Sequence, residues 1–472
     1  MRGRPPRHLS LPPGAPLSKD SVITRVIRVA GGRFAPGHIG ELTRIVPFEM
    51  VDAALAETRT RQQRVRDLPS RVVVYLLLAG ALFADLGYLQ VWARMTAGLV
   101  GLDVASPTAG ALAQARRRIG IAPLQALFDL LRGPAAGMSV KGVRWRGRLV
   151  TAIDGTILGC PDTAANLRVY QRGGGYQGGT GYPLARVLAL VACGTRTIID
   201  ATFGTDRVGE TTYAHDLLRS LHAGMIVLAD RNFAARHWLV AVVDTGADLL
   251  VRVKIGRNLP VCRRLGDGSY VSRIGPIEVR VITATITVTT ATGQRTQTYR
   301  LITTVLDQAC PPSEIVALYH QRWEIETAFF ELKSTILDGR VLRARTPAGL
   351  TQEIYALLIT YQAIRLAIGD AVLTRPDVDP DRGSFTIALG AARDQLTAAL
   401  GVLAATANAV VDLVGVIGGQ VLDRLMPQRR ARSNPRVVKR AISVYAANKA
   451  RGRIRAPSQA ITTTIKIVND GP

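Results

Sequence analysis

The hydrophobic pattern divides the chain into stretches of different period. From Ser21 to about Leu131 apolar residues recur at helical spacing, as Val51, Ala54 and Leu55 do, and a run from Val72 to Trp92 follows the start signal Pro69-Ser70. This predicts an all-helical N-terminal unit over residues 21–132, closed by the break at Gly133-Pro134. At Arg148 the texture changes. Leu149 to Ile153, Ala185 to Ala192, Thr197 to Ala201 and Met225 to Ala229 are short β-type runs, and the first and last read as buried strands ending at Asp154 and Asp230. Helices are predicted around Thr211 to Leu221 and Trp238 to Val243. Alternating Val, Ile and Thr from about Asp248 to Val305 predict an all-β insertion. Past Pro311-Pro312-Ser313 a long helix, with Ser313 as its cap, runs through Glu326 to about Ile336, and further helices reach Leu425.

Composition narrows the class. A chain of 472 residues with 47% apolar and 20% charged residues is globular and has room for two to four domains. Lys+Arg 60 against Asp+Glu 35 leaves +25, which points to a polyanion, with nucleic acid favoured over an anionic membrane. The basic tail, residues 427–472, carries Arg429 to Arg455 with no acid among them and reads as a nucleic-acid-facing or disordered arm. Arg116, Arg117 and Arg118 fit either a solvated helix face or phosphate contact. Residues 1–20, rich in Pro and Arg without an apolar core, read as a disordered leader and not a secretory signal. Val72 to Phe83 is too short to span a membrane, and Leu400 to Leu422 is interrupted by Asn408 and Asp412, so both read as buried helices. Cys160, Cys193, Cys262 and Cys310 stand apart with no C-x-x-C pair, which suggests neither zinc nor a disulfide framework and fits a reducing cytoplasm. The glycines from Gly173 to Gly181 lack the ending of a phosphate-binding loop and read as a flexible hairpin loop.

Chemistry concentrates on two aspartates and one helix. Asp154 and Asp230 follow buried strands, where an α/β sheet presents ligands. At 100° per residue, Tyr319, Arg322, Glu326 and Lys333 fall within roughly 60° of one another, beside an apolar stripe of Leu318, Ile325, Phe329, Leu332 and Ile336. Glu326 thus borders the core, while Glu324 and Glu331 project to the far side. A third carboxylate would complete an oxygen-ligand site for two Mg²⁺ ions. An ordinary amphipathic helix with Arg322 and Glu326 as an i,i+4 pair leaves the same pattern.

Tyr319-x₂-Arg322-x₃-Glu326-x₆-Lys333, together with Asp154-Gly155-Thr156 and Asp230-Arg231-Asn232-Phe233, resembles the insertion-sequence-four family of DDE transposases over about residues 20–370. One departure is Asn232, where that family commonly has Gly. The resemblance implies an α/β fold. An RNase H-like catalytic core would occupy 145–370, with the β insertion at about 248–305, between an all-helical N-terminal DNA-binding domain and a helical C-terminal region at 371–426. It implies that Asp154, Asp230 and Glu326 hold two Mg²⁺ ions, for which Mn²⁺ can substitute, and that Tyr319, Arg322 and Lys333 grip phosphates of the transposon end. The expected partners are terminal inverted repeats and target DNA, with a dimer in the synaptic complex and no membrane. The expected setting is a prokaryotic cytoplasm, in association with the nucleoid. The expected reaction is cut-and-paste transposition through a hairpin, which needs a flipped base held on an aromatic face. No tryptophan lies between Trp238 and Trp323, so Tyr299 is the nearest aromatic for that role, with a plain strand residue as the other reading. Two further readings are an RNase H-like nuclease without strand transfer and a non-catalytic DNA-binding derivative; retention of all three acids argues against the latter.

Overall fold

The computed structural model describes residues 26–28, 33–64, 66–135, 142–173, 181–290, 293–375, 377–399, 414–427 and 462–468. The chain departs from the helical expectation at its start, because Val26–Arg28 (β1) and Phe34–Pro36 (β2) pair antiparallel. Helix α1 (Phe48–Glu57) follows, and the Val72 to Trp92 run splits into α2 (Ser70–Leu82) and α3 (Tyr88–Thr96). The split falls at Gly87, whose extended backbone starts α3 while its N–H donates to Gln90 Oε1 at 3.2 Å. Thr108 caps α4 (Ala109–Ile119) through the Ala111 N–H, and α5 (Ala122–Leu131) completes the group. The three arginines of α4 divide their tasks. Arg116 stacks on Tyr88, Arg118 donates to the Leu68 carbonyl, and Arg117 faces outward.

A large mixed sheet forms the centre. The short β3 (Arg144–Trp145) pairs with β4 (Arg148–Gly159), which runs antiparallel to β5 (Leu184–Ala192), itself antiparallel to β6 (Ile198–Thr205). After the short helices α6 (Ala164–Leu167), between β4 and β5, and α7 (Glu210–Ala214), β7 (Met225–Ala229) returns parallel to β4. Helix α8 (Arg236–Asp244) then leads to β8 (Asp248–Val253), parallel to β7. Side chains alternate between two cores: Val150, Ala152, Ile226 and Leu228 enter one, Leu149, Ile153, Val227 and Ala229 the other. Both faces are therefore covered, which is why these strands read as unbroken apolar runs.

The β insertion is smaller than expected and is not a separate body. Asp248–Val253 belongs to the central strands, and the added strands are β9 (Arg263–Arg264), β10 (Tyr270–Ile274), β11 (Ile277–Thr290) and β12 (Gly293–Thr303). They extend the same sheet because β12 pairs antiparallel with β8 from Arg300 to Thr303. Val and Thr alternation marks a strand without revealing which edge it joins.

The segment that follows is helical throughout but changes pitch. It passes from α9 (Pro312–Tyr319) through a 3₁₀ turn (His320–Arg322) into α10 (Trp323–Phe330) and a π turn (Glu331–Ile336). Pro311 occupies the cap position, so Ser313 lies inside the first turn and is not the cap. Among the described residues three α-helices follow, α11 (Pro347–Leu373), α12 (Phe385–Thr397) and α13 (Gly415–Asp423). Among the described residues α11 alone is long and apolar enough to cross a membrane, yet 83% of its most apolar window is buried inside the protein. Its polar side chains stitch it to the N-terminal helices: Thr360 donates to the Leu78 carbonyl, Gln352 to Arg116 and Gln362 to Gly133. The N- and C-terminal helices consequently share one core on one face of the sheet.

The tail was expected to be an arm, but Thr462–Ile467 (β13) pairs antiparallel with β11 over Ala284 to Thr289, beyond the stretch that β10 occupies. The leader 1–20, residues 174–180 of the glycine loop, 400–413 of the second apolar stretch and the basic residues 428–461 lie outside the described residues.

Candidate active site

Strand register brings the two aspartates abreast. β4 and β7 pair in parallel as far as Ala152 and Leu228; Asp154 and Asp230 each lie two residues further along, on the same side of the sheet as that pair. Asp154 is not at a strand end, since β4 continues to Gly159 against β5 alone. What ends at Ala152 is its pairing with β7, and that leaves the notch. Asp154 Oδ1 accepts the Gly155 N–H at 2.8 Å, and Asp230 Oδ1 accepts the Asn232 N–H at 2.7 Å, capping a 3₁₀ turn over Arg231–Phe233.

Glu326 comes from α10, and Arg322 lies between it and the sheet. The Arg322 guanidinium donates to Glu326 Oε1 at 2.8 Å and to Asp154 Oδ2 at 3.3 Å and is 8% exposed. Burial pushes the Asp154 carboxyl up to about 6; Arg322 and the Gly155 N–H pull it down, and the charges of Asp230 and Glu326 push it up again. The three acids thus form one electrostatic neighbourhood. Among the described residues no three His, Cys, Asp or Glu side chains converge closely enough to enclose a metal ion, because the guanidinium spans the gap. The donor set still fits a hard divalent cation, since three carboxylates share one electrostatic neighbourhood and Arg322 offsets only two of them.

The remaining predicted residues are placed differently from expectation. Tyr319 is buried and its hydroxyl donates to the Ala229 carbonyl at 3.2 Å, so it secures the end of β7 and is not free to grip a phosphate. Burial raises its pKa, keeping it a neutral donor. Arg322 is engaged by carboxylates in this arrangement. Lys333 lies half-buried on the π turn. Tyr299, on β12, is half-buried with the Arg252 guanidinium 4.1 Å over its ring and Tyr319 edge-on at 6.3 Å. Glu324 and Glu331 stay out of the notch as expected, but they meet Arg196 at 2.6 and 3.2 Å. A uniform 100° step cannot anticipate this, because the 3₁₀ and π turns shift the faces of the helix.

Two features escaped the sequence reading. Glu210 of α7 reaches Arg186 and Asn232 beside the aspartates. A cavity of about 520 Å³ is lined by Arg231, the residue after Asp230, with Ala234, Lys254, Gly256 and Arg257. The cations following β8, Lys254 and Arg257, were the available signal for the second. Nothing in the spacing announces Glu210.

Comparison with known proteins finds transposases. The model of the insertion element 4 transposase N-terminal domain matches residues 36–129, and that of the transposase DDE domain matches residues 145–363. The Escherichia coli transposase InsG for insertion sequence element IS4 is 25% identical over 407 residues, which is 83% of this chain and 90% of that protein. The putative transposase InsZ of the same organism is 26% identical over 207 residues, 43% of this chain and 67% of that one. A cryo-EM structure of a piggyBac transposase synaptic complex with hairpin DNA aligns with a TM-score of 0.41 and 12% identity, over 88% of this chain and 90% of that one. Two family models in order along one chain, the second spanning all three acids, place it plainly: the protein belongs to the insertion-sequence-four family of DDE transposases, enzymes with an RNase H-like core that cut and join DNA.

Proposed function

We propose that the protein moves an insertion sequence by cut-and-paste transposition, with Asp154, Asp230 and Glu326 as the ligands of two Mg²⁺ ions. DDE transposases in general use divalent metal ions. The observation that carries the assignment is the register of β4 and β7, which sets Asp154 beside Asp230, with Arg322 joining Asp154 to Glu326. Bound there, two Mg²⁺ ions would activate the attacking oxygen and stabilise the leaving 3′ oxygen of an in-line displacement.

Around that centre the chain's own residues orient DNA. Arg322, buried between two carboxylates, is poised to exchange one of them for a phosphate oxygen once the acids have a stronger cation to neutralise them. Lys333 follows on the same helical segment as a point charge. The cavity bearing Arg231, Lys254 and Arg257 offers a cationic path for a phosphate backbone next to Asp230. The reading includes a dimer that synapses two transposon ends and acts on target DNA in a prokaryotic cytoplasm.

The deciding experiment incubates purified protein with Mg²⁺ and DNA carrying the element's flanking repeats, then resolves nicks, hairpins and joined products. All three support the reading. Hydrolysis without joined products would leave an RNase H-like nuclease, and binding without cleavage a non-catalytic derivative.

The hairpin step supplies a sharper test. Tyr299 is proposed to stack on the flipped base, supported by its place on the last strand before the catalytic helix and its contact with Tyr319. Tyr299→Ala is expected to lose about 1 to 3 kcal/mol of stacking at that step. Nicked DNA should accumulate with few hairpins, while Tyr299→Trp, which keeps a π-face, retains activity. Hairpins formed by Tyr299→Ala at the normal rate would place the stacking residue elsewhere.

A further inference from the structure

We infer that Glu210 is a positioning residue that braces the Asp230 turn through Asn232 and packs against β4 beside Asp154. The inference rests on the reading of Asp154 and Asp230 as metal ligands and says what holds them in orientation.

Glu210 opens α7 and lies against the face of β4 opposite to the one that carries Asp154, because side chains at 154 and 155 alternate. Its Oε1 accepts from Arg186 Nη1 at 2.6 Å, and its Oε2 accepts from Asn232 Nδ2 at 2.8 Å. Asn232 in turn donates its backbone N–H to Asp230 Oδ1 at 2.7 Å, so the side-chain bond to Glu210 fixes the turn that aims Asp230. On the other side, a Cβ at residue 155 would come 2.5 Å from Glu210 Oε1. That oxygen is held by Arg186 and cannot simply swing away, so glycine is needed at 155 for the approach. Gly155 is also the residue whose N–H holds Asp154 Oδ1 at 2.8 Å. One carboxylate therefore borders both β4 at Asp154 and the turn that carries Asp230.

The arrangement also accounts for the sequence departure at 232. A glycine there would keep the N–H to Asp230 but could make no bond to Glu210, and the 3₁₀ turn would lose its anchor. Arg186 offsets the Glu210 charge, so the brace adds direction without adding an uncompensated anion to three acids. Partners one step removed from a metal ligand fix its geometry, and losing one typically weakens metal affinity by about 10- to 100-fold.

The test titrates Mn²⁺ into the full chain by calorimetry, in parallel with DNA cleavage, for wild type, Glu210→Ala, Glu210→Gln, Asn232→Gly and the Glu210→Ala/Asn232→Gly double variant. Each of Glu210→Ala and Asn232→Gly is expected to weaken Mn²⁺ binding by about tenfold. The Mn²⁺ needed for half-maximal cleavage should rise in step, with the plateau rate little changed. The double variant should be no weaker than either single one, because both remove the same bond. Glu210→Gln keeps an acceptor for Asn232 and should recover most of the affinity. Asn232 is exposed, so its glycine variant folds even where Glu210→Ala does not. Unchanged Mn²⁺ affinity in Asn232→Gly, losses that multiply in the double variant, or Glu210→Gln no better than Glu210→Ala would overturn the inference. Wild-type Mn²⁺ affinity in Asp230→Ala would instead overturn the assignment of the ligands themselves.

Discussion

Asp154→Ala, Asp230→Ala and Glu326→Ala are each expected to abolish DNA cleavage in Mg²⁺ while leaving binding to end DNA largely intact. Losing one carboxylate disrupts the metal geometry and forfeits roughly 4 kcal/mol or more of transition-state stabilisation, on the order of a thousandfold in rate. Phosphate contacts are made by basic residues elsewhere and persist. A cleavage assay beside an electrophoretic binding assay separates the two effects. Substantial cleavage by any of the three variants would remove that residue from the ligand set.

The wild-type enzyme adds a pH dependence to the same test. The Asp154 carboxyl sits at about 6 in the folded protein, above its ordinary 3.8, so the native state without metal holds a proton that the unfolded chain releases first. Stability contributed by that proton is complete below pH 4 and is lost as pH rises through 6. A divalent ion must displace the proton, so the cation concentration giving half-maximal cleavage should climb as pH falls below 6, by at most about tenfold per unit. If that concentration is the same at pH 5 and pH 7.5, Asp154 does not bind the ion.

Much of the site was legible because it depends on patterns that sequence preserves. Buried runs ending at or near Asp154 and Asp230 show as unbroken apolar segments, and Tyr319, Arg322, Glu326 and Lys333 show as a spacing. Pairing partners left no such trace. β8 looked like part of an insertion because its alternation resembles that of β11 and β12, and only its parallel register with β7 assigns it to the centre. β13 looked like the end of a basic arm because an edge strand of Thr and Ile is short and half-polar. The resemblance implied a phosphate contact for Tyr319, yet its hydroxyl is consumed by the Ala229 carbonyl, a contact 90 residues away in sequence. Glu210 is also non-local, with partners 22 and 24 residues away.

The largest effect on stability is expected from Arg196→Leu, behind the catalytic helix. Arg196 is 1% exposed and takes φ 58°, a left-handed conformation that a non-glycine residue holds only when its surroundings over-determine it. Its guanidinium meets Glu324 at 2.6 Å, Glu331 at 3.2 Å and Asp381, joining the β5–β6 turn to the catalytic helix and to the loop after α11. Glu331 keeps a second cation, because Arg365 and the Tyr361 hydroxyl also reach it. Asp381, 2% exposed, does not share that support. Removing one partner of a buried ion pair typically costs about 3–5 kcal/mol, chiefly because the other charge stays buried and unpaired. Arg196→Leu should therefore lower the urea midpoint markedly, and adding Asp381→Leu should recover part of the loss by deleting the stranded anion. The shared helix makes a functional consequence follow: Glu324 and Glu331 flank Glu326, so cleavage by Arg196→Leu should fall even under conditions where the variant is still folded. An unfolding free energy within about 0.5 kcal/mol of wild type, the range of ordinary surface substitutions, would show that the cluster does not hold the catalytic helix to the sheet.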